Sequence, residues 1–277
     1  MLSIPENTEK INDIFEGLCK PELFWKQQLE KVESLQWPFA RTATAVSERV
    51  RFSAEIPLSE NLKSLFPEDK TSLVLAALVS AYLIRISDQE YGSIGYIPVD
   101  LPNAIFGYDS LFKTELPLNI SISEGETALK VVHEILKTLR KIVKSGTYTV
   151  DMPLRYQSLL SKTEESFPVI LCHTLIPEEE MIDGSLYISI ISQQVTLSLP
   201  GMDYQWGSAR FAEGLRNFIN NFSAEPDSAL FALPLLTRSQ AEQLLESLNL
   251  PVGKANPISG VISQFDLVAE SHPDKLA

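Results

Sequence analysis

Hydrophobic and polar positions change rhythm several times along this chain, and each rhythm predicts a different element. Residues 1–20, with Glu6, Glu9, Asp13 and Glu16, read as a polar lead-in. Pro21 opens a helix carrying Phe24, Trp25, Leu29 and Val32 on one stripe, and Trp37-Pro38 ends that unit. From Val50 the period becomes two: Val50, Phe52, Ala54 and Ile56 alternate with polar residues, as in a half-buried strand. Thr71 is positioned to cap a helix that is apolar almost all round over 73–86 and therefore belongs in the core.

Residues 91–120 are broken by Gly92, Gly95, Pro98, Pro102, Gly107 and Pro117 into short strands and turns. The clearest helix spans 127–144, with Leu129, Val132, Leu136, Leu139 and Val143 expected inward and Gly146 as its stop. Residues 168–176 read as a buried strand, and 186–191 and 195–199 as two antiparallel strands around Ser192-Gln193-Gln194. A helix over 208–222 presents Phe211, Leu215, Phe218, Ile219 and Phe222. After Pro226, residues 233–236 are extended, and Thr237 with Gln240 forms a capping box for a short helix through Leu248. Residues 249–257 look like a linker, and a last helix is expected over 259–271. Helices alternating with strands, one pair of them a hairpin, predict an α/β fold on a mixed sheet.

The length, 277 residues, suits one large domain or one domain with attachments. Acidic residues exceed basic ones by 36 to 23, giving −13, a surface that repels phosphate backbones and anionic lipid; neither nucleic acid nor a membrane is an expected partner. The longest apolar run, 73–86, is shorter than the roughly 20 residues a bilayer needs. No leader pattern opens the chain, and Cys19 and Cys172 lie far apart without metal-ligand spacing, so a soluble cytoplasmic protein with reduced thiols is expected.

Candidate chemistry is sparse. Of three histidines, His133 reads as part of a solvated helix face, His173 as a core or inter-strand residue, and His272 as a surface residue near the end. Cys172 and His173 do not form a thiol–base pair, because adjacent strand residues point to opposite faces. The run Glu178-Glu179-Glu180 with Asp183-Gly184 reads as a solvated turn rather than a cation site, because its ligand spacing is not alternate. Asp203-x-x-Trp206-Gly207 reads as a turn closing a strand. A G-x-S-x-G turn and a phosphate-cradling glycine loop are both missing from the sequence.

The last fifty residues carry a resemblance. Leu233-Pro-Leu-Leu-Thr237 followed by Gln240-Ala-Glu-Gln-Leu-Leu245 resembles the segment joining a condensation domain to an adenylation domain in nonribosomal peptide synthetases. Val261-Ile-Ser-Gln-Phe265, with Ala269 and His272-Pro273, is similar to the opening helix of an adenylation domain. Upstream, Glu22-Leu-Phe-Trp25-Lys-Gln-Gln-Leu29 and the 71–85 stretch resemble helices of the condensation domain's C-terminal lobe. Phe112-x-x-x-Leu116-Pro117-Leu118 is similar to the family's N-T-L-P-L-R segment, with Asn119 where arginine is usual. Pro168-Val-Ile-Leu-Cys172 and Ile191-Ser-Gln-Gln-Val195-x-Leu197 resemble P-V-V-F-T and I-S-Q-T-P-Q-V-W-L-D of the heterocyclisation branch. Residues 211–222 are similar to the lobe's final helix.

The resemblance implies a single chloramphenicol-acetyltransferase-like lobe, a mixed sheet covered by helices, equal to half of a condensation domain. It divides the chain into a lead-in (1–20), the lobe (21–232), a linker (233–260) and the first helix of an adenylation domain (261–277). The family's H-H-x-x-x-D-G and D-x-x-x-x-D motifs have no counterpart here. The heterocyclisation branch's threonine and aspartate fall on Cys172 and Ser198, neither of which replaces a carboxylate base, and His173 is the best remaining candidate base. The resemblance therefore implies a non-catalytic, truncated lobe serving as a platform for a following adenylation domain, with Leu233, Leu235, Leu236, Leu244 and Phe265 at the interface. It implies no cofactor in this segment, with phosphopantetheine and ATP bound elsewhere in the parent multienzyme. An upstream carrier protein is a further candidate partner. Alternatives are half of a split enzyme completed by an N-terminal lobe in trans, a carrier-docking module, a trimeric free-standing acyltransferase, and the front end of an aminoadipate-reductase-like enzyme.

Overall fold

The computed structural model describes residues 4–19, 21–36, 50–162, 167–182, 185–199 and 205–248. The chain divides into two compact units, Met1–Leu235 and Leu236–Ala277. In the first unit the elements run α1 (Ile4–Leu18), α2 (Glu22–Glu30), β1 (Val50–Glu55), α3 (Glu60–Leu65), α4 (Thr71–Ser87), β2 (Tyr91–Ile97), α5 (Leu101–Ala104), β3 (Leu116–Ser121), α6 (Ala128–Ser145), β4 (Val169–Cys172), β5 (Leu186–Ile191), β6 (Gln194–Leu199) and α7 (Gln205–Ala224). Within the second unit lies α8 (Arg238–Leu248).

The strands form one six-stranded sheet in the order β1-β6-β5-β4-β2-β3. β4 runs parallel to both β2 and β5, and the other pairs are antiparallel, so the sheet is mixed as expected. The β5–β6 hairpin turns at Ser192-Gln193, with Ser192 at φ 58. Its tip is tied to the end of β1: Ile56 N–H donates to the Gln193 carbonyl and Leu58 N–H to the Gln193 side chain, both at 2.8 Å.

Helix α4 is the centre of the core because its sequence offers water no polar face. Every residue from Val74 to Ile84 is buried, Ser80 included, whose hydroxyl donates to the Ala76 carbonyl at 2.8 Å. It lies against β5 and packs on both α6 and α7, while α6 lies against β3 and α7 against β1, so helices cover the sheet along its width. Thr71 is the first helical residue rather than the cap; Lys70 occupies the cap position, and no side chain caps this end.

Three local expectations change. The polar lead-in is largely helix: α1 buries Ile14 and is followed by buried Cys19, and the Leu18 carbonyl accepts from Thr147 N–H at 2.9 Å. Gly146, at φ 66, makes that approach possible, since a Cβ there would collide with the Leu18 carbonyl. On α6 the buried face is Ala128, Val131, Val132, Ile135, Leu136, Leu139 and Ile142, so Val143, expected inward, is instead half exposed. β4 ends at Cys172, four residues earlier than the expected strand. The linker at 249–257 and the helix at 259–271 lie outside the described residues.

Candidate functional site

Cross-strand register places the two family-matched positions on one face of the sheet. Cys172 is opposite Ser189, Ser189 opposite Thr196, and Thr196 opposite Ser53, and directly opposed side chains share a face. Ser198, two residues beyond Thr196, joins that face. The result is a row of small polar groups crossing four strands. Cys172 Sγ lies 3.2 Å from Ser189 Oγ and donates to the Thr174 carbonyl at 3.2 Å. Ser53 Oγ and Thr196 Oγ1 are 2.9 Å apart, and Arg51 Nε donates to Ser198 Oγ at 3.3 Å. Cys172, Ser189, Thr196 and Ser198 are all buried, and burial raises the Cys172 thiol above its ordinary value despite the Ser189 and Thr174 hydrogen bonds. Burial thus favours the protonated thiol over the thiolate.

His173, next along the chain, faces the opposite way. Its Nε2 lies 3.0 Å from Tyr96 Oη, with the two rings edge to face at 5.6 Å. Desolvation lowers the imidazole below its ordinary value and keeps it neutral near pH 7. A backbone interaction with Ile190 offsets part of that effect. The residues matched to chemistry are therefore split between two faces, with no hydrogen bond joining Cys172, His173 and Ser198 among the described residues.

Other candidates have structural partners. His133 sits on the exposed side of α6 with its ring 5.0 Å from that of Phe66. Asn119, at the family's arginine position, donates from Nδ2 to the Gln28 carbonyl at 2.9 Å and accepts from Ser93 Oγ at 2.6 Å, tying β2 and β3 to α2. Glu178–Glu180 form a single 3-10 turn. His272, Asp183 and Asp203 lie outside the described residues.

Of the expected interface residues, Leu233 is buried in the core of the first unit and Leu235 packs partly against it. Asn221 and Asn217 on α7 donate to the carbonyls of Pro234 at 2.8 Å and Leu235 at 3.3 Å, so the extended segment is strapped along α7. Leu236 and Leu244 belong to the second unit and are exposed, and Phe265 lies outside the described residues. The capping box of α8 is formed: Thr237 N–H donates to Gln240 Oε1 at 2.7 Å and Gln240 N–H to Thr237 Oγ1 at 3.2 Å.

One feature had no signal in the pattern of the chain. A cavity of about 510 Å³ lies between the ends of β2 and β4, the start of α4, α5 and the end of α6, with Tyr96 and His173 in its lining. Arg140 and Lys144 of α6 both line it.

Neither a protein-family model nor a curated protein matches the sequence. Solved structures do. The starter condensation domain of rhizomide synthetase RzmA matches with a TM-score of 0.55 at 15% identity, over 79% of this chain and 55% of that one. The first condensation domain of the CDA synthetase matches at 0.54 and 14% identity, over 84% and 56%. The four-domain nonribosomal peptide synthetase AB3403 matches at 0.54 and 11%, over 80% of this chain and 20% of that one. The fold is thus the α/β, chloramphenicol-acetyltransferase-like fold of condensation domains. The chain spans about 55% of the length of the condensation domains it matches. Among the described residues, no helix is long and apolar enough to cross a membrane.

Proposed function

We propose that this chain is a non-catalytic, condensation-like lobe of a nonribosomal peptide synthetase that serves as a platform for a following adenylation domain. The observation that carries the reading is the state of the family-matched positions. Cys172 and Ser198 are buried in hydrogen bonds internal to the sheet, and neither supplies a base for an attacking amine or a cyclising side chain. His173 is neutral and so has the right protonation state for a base, but it lies on the other face of the sheet with Nε2 engaged by Tyr96. The strap of 233–235 along α7 supports the platform part, because it fixes where any following domain departs. Phosphopantetheine and ATP would then act on neighbouring domains of the same multienzyme.

The assay supplies acyl- and aminoacyl-loaded carrier proteins and looks for a peptide or a thiazoline. No product above background is expected. Turnover that disappears in His173→Ala would overturn the reading.

A further inference from the structure

β1 is the outermost strand at one end of the sheet, and the hydrogen bonds around it fix which of its backbone groups point away from β6. Ile56 N–H donates at 2.8 Å to the carbonyl of Gln193, the residue it faces in register, so residues 50, 52, 54 and 56 turn their backbone groups toward β6. Arg51, Ser53 and Glu55 therefore turn theirs outward. Two side-chain contacts agree: Ser53 Oγ lies 2.9 Å from Thr196 Oγ1 and Arg51 Nε 3.3 Å from Ser198 Oγ, as in the closer pairs that exchange no backbone bonds. The Glu55 carbonyl, moreover, accepts from Nε and Nη2 of Arg216 on α7, both at 3.3 Å, and not from β6.

Among the described residues, the outward N–H groups of Arg51, Ser53 and Glu55 and the outward carbonyls of Arg51 and Ser53 have no backbone partner. Such a row of unpaired groups is a template for another strand. The side chains decide which strand fits. Arg51, Ser53 and Glu55 are exposed on one face of the sheet, and Phe52, partly buried, and Ala54 and Ile56, both buried, lie on the other. About a two-fold axis at Ser53, an antiparallel second copy sets Arg51 opposite the copy's Glu55 and Glu55 opposite its Arg51. Ser53 then faces Ser53, and Phe52 faces Ala54. Opposite charges directly opposed across strands are stabilising. Outward residues also meet outward residues in this register, so each such pair exchanges about two backbone bonds. A shift by two residues sets Arg51 against Ser53, or against Pro57, which has no N–H to donate.

We propose that two copies of this chain pair antiparallel along β1, about a two-fold axis at Ser53, into one continuous sheet. The net charge of −13 on each copy opposes association, so the dimer is weak and its register depends on the Arg51–Glu55 pairs. The edge belongs to the first unit, and the pairing does not depend on the platform reading.

Sedimentation equilibrium of the full chain in about 0.1 M salt should give a monomer–dimer equilibrium with a Kd of about 10–100 μM. Arg51→Glu opposes glutamate to glutamate and Glu55→Arg opposes arginine to arginine, so each variant alone should weaken the dimer at least about tenfold. An equimolar mixture of the two variants opposes unlike charges at both positions and should restore the affinity to within about threefold. Variants weakened only by a damaged fold would not recover on mixing. Residue-resolved amide exchange gives a second readout: raising the protein concentration should slow Arg51, Ser53 and Glu55 and leave Phe52 and Ala54 unchanged. A monomer throughout, up to about 500 μM, is the result if another segment of the chain holds the edge, and it would overturn the proposal. Single variants that dimerise like the parent chain, a mixture that stays monomeric, or slowed exchange without the alternation would each do the same.

Discussion

Replacing Leu136 by alanine separates the α6 face seen in the structure from the one that simple periodicity gives. Leu136 is fully buried on α6, which packs on α4, where Leu75 and Leu78 are fully buried too. Removing three carbons at about 0.8 kcal/mol each costs about 2.4 kcal/mol in transfer free energy. A residual void of about 50 Å³, at about 24 cal/mol per Å³, adds about 1.2 kcal/mol, for a total near 3.6 kcal/mol. Val143→Ala is the internal control. Its side chain is 50% exposed, so losing two carbons should cost no more than about 0.8 kcal/mol. Urea unfolding of the full chain, followed by far-UV circular dichroism, measures both, provided the m-value is unchanged. Equal losses for the two variants, or less than about 1 kcal/mol for Leu136→Ala, would refute the assignment of the buried face.

Three further outcomes follow from particular residues. Gly146→Ala should destabilise by more than about 1 kcal/mol, because it meets both a positive φ and the Leu18 backbone, and faster amide exchange at Thr147 should accompany it. Both thiols should resist a disulfide reagent at pH 8 by at least about a hundredfold relative to the unfolded chain, since burial raises Cys172 and pushes Cys19 up to about 11; prompt labelling of the native protein would contradict this. The third concerns acid. The folded value of His173 lies below its ordinary 6.5, so its contribution to stability is full above that pH and is lost as pH falls from 6.5 toward the folded value. His173→Phe should therefore flatten the loss of stability between pH 6.5 and 5, and an unchanged slope would count against a buried neutral imidazole.

What the sequence made legible was local chemistry with a fixed geometry. The Thr237–Gln240 box and the Ser192–Gln193 turn each follow from a few adjacent residues, whereas the cap expected of Thr71 is not formed, Lys70 holding that position. α1 is hidden in the sequence because Glu9, Asp13 and Glu16 dilute an apolar edge that buries Ile14, so its helical period is weak without its packing partners. Val143 was misplaced because residues 129, 132, 136, 139 and 143 fit a helical stripe as well as the true set does, and only the position of α4 selects between them. Strand alternation alone put Cys172 and His173 on opposite faces, as found. The cavity was not legible, because its lining comes from elements far apart in sequence that meet only in the folded sheet.

The central claim is that the lobe serves a following adenylation domain as a platform, and amide hydrogen exchange across 233–248 tests it most directly. The measurement compares this chain alone with the same chain continued into an adenylation domain. The α8 helix has 11 residues, a length at which helices without tertiary contacts are marginal in water. A platform predicts slower exchange throughout 236–248 in the longer chain and a higher melting temperature for both parts. Identical exchange and melting in the two chains would contradict the platform and leave the segment as a tether.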